Sequence, residues 1–121
     1  MRLSRLLILC VLFATCQSEV ERLHGESLYH LKNVIEILEK SAGDTDRAFT
    51  ELGKYYDDHY ERIIDVKFNG SRELMKLSEH DRMTFQTMAE KKSRLYRERI
   101  ENLARTYPEP AKILNMVRKF L

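Results

Sequence analysis

Between Asn33 and Leu52 the chain reads NVIEILEKSAGDTDRAFTEL, and this stretch decides the fold. Val34, Ile35 and Leu38 continue an apolar series that begins with Leu23, Leu28 and Leu31, spaced largely by three and four, the period of an amphipathic helix. Ser41-Ala42-Gly43-Asp44 interrupts it. Gly43 suits a left-handed C-cap, and Asp44 or Thr45 can accept the first unpaired N–H groups of a new helix. The apolar spacing resumes at once with Phe49 and Leu52. A helix, a tight stop and a second helix make a helical hairpin, so the expected fold is all-α.

Working outward from this hairpin, the first helix is expected over Glu21 to Lys40. The second is expected from Thr45 to about Phe68, on a stripe of Phe49, Leu52, Tyr56, Tyr60, Ile63 and Ile64, with Asn69-Gly70 as its terminator. Ser71 to Leu77 reads as a short third piece. Ser78-Glu79-His80-Asp81 nearly matches a capping box and opens a long helix to about Thr106. Its expected apolar face is Phe85, Met88, Ala89, Leu95, Tyr96, Ile100 and Leu103. Tyr107-Pro108-Glu109-Pro110 breaks this helix, because proline cannot donate to the ladder and restricts the residue before it. Pro110 fits the first turn of a last helix, Ala111 to Phe120, with Ile113, Leu114, Val117 and Phe120 facing inward. The sum is a compact bundle of about four main helices plus a short one, without strands, repeats or linkers.

Residues 1–18 read differently. Arg2 and Arg5 precede an apolar run from Leu6 to Ala14, and Thr15-Cys16-Gln17-Ser18 supplies small residues for cleavage, which is the pattern of a secretory signal peptide. The run is about half of the roughly 20 residues a spanning helix requires, so no membrane anchor is expected. A cut after Ser18 fits, and a cut after Cys16 satisfies the same small-residue rule. A lipid anchor on Cys16 would need a better preceding motif. The single helical domain is therefore 19–121. Both cysteines, Cys10 and Cys16, fall in the leader, so the mature domain is expected to have no disulfides and no thiol chemistry.

The chain of 121 residues carries 33% charged and 43% apolar residues, which suits one small domain and not a multidomain enzyme. Without Arg2 and Arg5 its positive and negative side chains balance at 19 acidic residues. Their distribution is lopsided: Glu19 to Val66 holds 12 acidic and 6 basic residues, and Lys67 to Leu121 holds 7 acidic and 13 basic. Either the helices complement one another internally, or the surface is bipolar and orients a charged partner.

Chemistry-bearing motifs are weak. Glu21-Arg22-Leu23-His24 has the Glu-x-x-His spacing of carboxylate-bridged metal bundles, but such sites need a second copy and two further glutamates. Asp57, Asp58 and His59 are adjacent and point about 100° apart on a helix, so they do not converge on one ion. There is no nucleophile elbow, glycine-rich phosphate loop or His-Glu-x-x-His, so neither catalysis nor a metal or other cofactor is expected. Lys91, Lys92, Arg94, Arg97 and Arg99 crowd one helix around Tyr96, yet a balanced, exported chain argues against nucleic acid. Tyr55, Tyr56 and Tyr60 form an aromatic group with two rings expected in the core and one at a surface. Met75, Met83, Met88 and Met116 read as core packing. Asn69-Gly70-Ser71 is an N-glycosylation acceptor at an expected turn.

A leader followed by a cysteine-free helical chain that ends in the Tyr107-Pro108-Glu109-Pro110 break and a short amphipathic tail resembles the anophensin-type salivary proteins of blood-feeding anopheline mosquitoes. The resemblance covers the whole mature chain in organisation and assigns no role to a numbered residue. It implies a salivary effector in host blood that binds components of a plasma protease cascade, either the alternative complement pathway with its convertase or contact activation of the kallikrein–kinin system. The residues agree in class: an exported monomer without a catalytic set acts by covering another protein's surface. Charge and ring content point to Tyr55, Lys91, Lys92, Arg94, Arg97 and Arg99 as that surface. The second expectation is a carrier whose core opens around a small apolar ligand such as a fatty acid.

Overall fold

The computed structural model describes the backbone of residues 2–121 and the side chains of residues 19–121. Five helices follow in chain order: α1 (Arg2–Ser41), α2 (Thr45–Asp58), α3 (Tyr60–Met75), α4 (Glu79–Arg105) and α5 (Pro110–Val117). The fold is all-α, packed around one core, and no disulfide occurs among the residues whose side chains are described. The expected leader chemistry of residues 1–18, including Cys10 and Cys16, lies outside those side chains. α1 begins well before the expected Glu21 and passes the expected cleavage point without a break.

The local stops occur where the chemistry of the caps places them. Ala42 and Gly43 both take left-handed backbone (φ +48° and +82°), and Asp44 accepts from the Arg47 N–H at 3.1 Å. Ser78 likewise accepts from the Asp81 N–H at 3.2 Å and starts α4. Pro110 opens α5.

Two boundaries differ from expectation. The helix expected over Thr45 to Phe68 is two helices, divided at His59, whose Nδ1–H donates to the Tyr55 carbonyl at 2.9 Å beside its own backbone N–H at 3.0 Å. The ring caps the end of α2. The Asp57-Asp58 pair also favours the break: carboxylates oppose the negative C-terminus of α2 and suit the positive start of α3. In the other direction, Asn69-Gly70 terminates nothing and there is no separate piece over Ser71 to Leu77. The Asn69 amide donates to Asp65 one turn earlier, which holds both residues inside α3. α3 ends instead where Arg82 reaches back to the carbonyls of Leu74 (3.3 Å), Met75 (3.4 Å) and Leu77 (3.2 Å). A cation on the carbonyls at and just past the last turn complements the negative end of α3, with Leu74 also accepting from the Leu77 N–H at 3.2 Å.

α1 is the support on which the others rest. His30 lies beside His59 and Glu39 binds Arg99, so α3 returns along α1 while α4 runs with it. α5 closes the far end against α2 and α4. Leu31, Val34, Leu38, Leu52, Ile63, Ile100, Ile113 and Val117 form the centre of the core. Tyr107 is 4% exposed and its hydroxyl donates to the Leu38 carbonyl at 2.5 Å, across 69 residues of chain. The Ala42 N–H goes to Glu39 rather than Leu38, so the tyrosine supplies the bond that the end of α1 leaves open.

Candidate functional site

Charge separation along the chain is partly consumed inside the fold. Arg99 pairs with Glu39 at 2.7 Å and Lys112 with Asp46 at 3.4 Å, each joining the basic half to the acidic half. Arg97 stands 4.0 Å from Glu90. Lys91, Lys92 and Arg94 are exposed and make no ion pair among the described residues. At about 100° per residue these five cations do not form one row: Arg97 falls within about 20° of the buried Ala104, and the other four spread around the outer faces of α4.

The sixth expected residue is elsewhere. Tyr55 is half-buried on α2, shares a 2.8 Å hydrogen bond with His30 Nδ1, stacks on His59 at 4.1 Å and packs toward Phe120. Burial pushes its phenol up to about 12. The structure therefore leaves Lys91, Lys92 and Arg94 exposed on α4, engages Arg97 and Arg99 elsewhere, and sets Tyr55 in a separate cluster with His30 and His59. Tyr56 is also half-buried, and Tyr60 is the exposed ring of the three.

His30 is 3% exposed, and burial holds its imidazole below the usual range, with His59 and Arg62 adding to the effect and Glu26, at 3.5 Å, opposing it. His24 is lowered by burial and by the Lys92 cation, and its ring meets Phe85 edge-on at 5.7 Å. Both histidines are committed to packing. Among the described residues no group of three or more His, Cys, Asp or Glu converges as a metal site.

Several apolar side chains expected in the core are outside it. Of the methionines among the described residues only Met116 is buried, and Met75, Met83 and Met88 are exposed. Leu95 is 69% exposed, and Phe49 is exposed with the Lys112 ammonium 4.8 Å over its ring. The reason for Leu95 is angular: it lies about 140° around α4 from Ile100, which with Ala104 marks the buried side. Met88 and Leu95 are seven positions apart and form an outward stripe with Lys91 and Lys92 between them. Phe68 (71% exposed) and Met75 (66%) repeat the spacing on α3. The sequence signal was present in the seven-residue interval, but the same residues also fit an inward face.

A second feature was not foreseen. α3 and α4 both pack on α1 and barely on each other, leaving between them an open trough of about 700 Å³. Its floor is Val20, Leu23, His24 and Ser27 of α1. One wall is Val66, Gly70 and Leu74, with Lys67, and the other is Phe85, Ala89, Ser93 and Arg97, with Glu90. Val20 and Leu23 are buried yet stand apart from the main core. The trough opens to solvent, unlike the internal cavity expected of a carrier.

Asn69, the glycosylation acceptor, is half-buried within α3 and not in a turn, with its amide nitrogen bonded to Asp65. Among the described residues no helix is long and apolar enough to cross a membrane. Comparison of the chain with protein-family models, with characterised proteins and with solved structures finds no match.

Proposed function

We propose that this chain is an exported, non-catalytic binding protein that occupies the surface of a host plasma protein, a complement convertase component or a contact-activation component. The observation that carries the binding reading is the pair of outward apolar stripes, Phe68 with Met75 and Met88 with Leu95, the second set among the cations Lys91, Lys92 and Arg94. Large apolar side chains left in water at regular helical spacing mark contact surfaces. Apolar anchors supply lifetime, and a basic fringe accelerates encounter with an acidic partner. The target class comes from the resemblance in chain organisation. Tyr55 is not part of this surface, and Arg99 is already paired with Glu39.

The test starts from the full chain expressed in a eukaryotic secretory host. Recovery from the medium with Glu19 as the first residue is the expected outcome for export. The recovered protein, immobilised in vertebrate plasma, is expected to enrich complement or contact-system components by mass spectrometry. A Leu95→Asp/Lys91→Glu variant is expected to lose them. Retention in the cell refutes export, and equal capture by both proteins refutes the α4 surface.

A further inference from the structure

We propose that the trough between α3 and α4 is a binding site for an amphipathic anion, an apolar chain ending in a single carboxylate. This stands independently of the plasma-protein reading.

The register of the helices gives the trough two unlike ends. Because α3 runs back along α1 and α4 runs with it, Val20 and Leu74 lie toward one end, and Ser27, Val66 and Arg97 toward the other. The first end, extended by Phe85, is apolar. The second is cationic: Arg97 stands on one wall with Glu90 the single carboxylate, and Lys67 on the other adds positive charge while its ammonium donates to the Lys119 carbonyl at 2.8 Å, which leaves Arg97 as the group to receive an anion.

Arg97 is poorly satisfied. Its Nε is shut off from solvent without a hydrogen-bond partner, and the contact from its terminal nitrogen to Glu90 is 4.0 Å, too long for a charge-assisted hydrogen bond. The side chain is 44% exposed and lines the trough, so a carboxylate there gains a fork-shaped donor at little cost in reorganisation. An apolar tail running along Phe85 toward Leu74 would leave water at the same time. The volume of about 700 Å³ lies within the range of small-molecule sites, roughly 300–1,000 Å³.

Gly70 keeps the α3 wall low. A Cβ added there meets nothing within 4 Å, so a larger side chain has room to enter. Glycine in a helix interior is disfavoured by about 1 kcal/mol against alanine, so Gly70→Leu fills the trough without weakening α3.

The experiment is a fluorescence titration of the purified protein with dansyl-labelled undecanoic acid, followed by displacement with dodecanoate and with dodecanol. The expected result is saturable binding of one probe per chain, with dodecanoate at least about tenfold more effective than dodecanol, the worth of one charged hydrogen bond. Arg97→Gln is expected to erase that preference while dodecanol competes as before. Gly70→Leu is expected to abolish binding with an unchanged or raised melting temperature. Absence of saturable binding, equal competition by acid and alcohol, or an unchanged affinity in Gly70→Leu overturns the proposal. An acidic peptide displacing the probe better than dodecanoate also overturns it, because the apolar half of the trough would then play no part.

Discussion

Removing one oxygen from Tyr107 tests how the two ends of the chain are joined. Tyr107→Phe keeps the ring in the core and deletes only the hydroxyl that donates to the Leu38 carbonyl at 2.5 Å. The carbonyl belongs to the last turn of α1, where no helix N–H follows to take it, and Tyr107 above it is 4% exposed. Water cannot replace the lost bond without entry into the core. A hydrogen bond between satisfied partners is worth ~1 kcal/mol net, but an acceptor left buried and unpaired costs ~1–3 kcal/mol. The expected loss is therefore about 2 kcal/mol, or ~8–16 °C in melting temperature for a domain of this size. Urea and thermal unfolding followed by far-UV circular dichroism measure it, with the exposed Tyr60→Phe as control, expected within ~0.5 kcal/mol of the parent. If Tyr107→Phe matches the control, the tertiary cap is not a source of stability and the reasoning fails.

Acid is expected to weaken the fold. His24 and His30 are held neutral by burial, so the unfolded chain takes up their protons first; stability present above about pH 6.5 declines as pH falls through the folded values, and a flat urea midpoint between about pH 7.5 and 5 contradicts this. At the alkaline end the Tyr55 phenol, pushed up to about 12, stays protonated while the unfolded chain ionises near 10, so stability falls above about pH 10 and the ultraviolet titration of one tyrosine is delayed. Asp44→Ala removes the N-cap of α2 and is expected to cost about 1 kcal/mol in chemical denaturation, whereas Asp44→Asn is nearly neutral. Arg99→Ala breaks an ion pair whose partners are both exposed, and the expected change is under ~1 kcal/mol and smaller still in high salt.

The helical class, the stop at Gly43 and the start at Ser78 were legible because each is decided within one turn of chain. A left-handed glycine, a cap oxygen three residues from its N–H and a proline at a first turn need no distant partner. Their outcome is written in adjacent residues.

Other features were settled by which faces found a neighbour. Asn69-Gly70 reads locally as a terminator, yet the bond to Asp65 and the packing of α3 on α1 carry the helix through it. His59 divides a continuous apolar pattern because α2 turns to meet α5 while α3 follows α1. Met88 and Leu95 fit a core stripe in sequence, but α1 covers only the side of α4 marked by Ile100 and Ala104. The Tyr107 bond to Leu38, the displacement of Tyr55 from the basic surface and the trough beside Arg97 exist only once α1 has been shared among its neighbours. Sequence thus determined the stops and starts that a single turn of chain decides, at Gly43, Ser78 and Pro110. Tertiary structure decided which apolar faces are covered, because burial depends on a second surface that no local pattern contains.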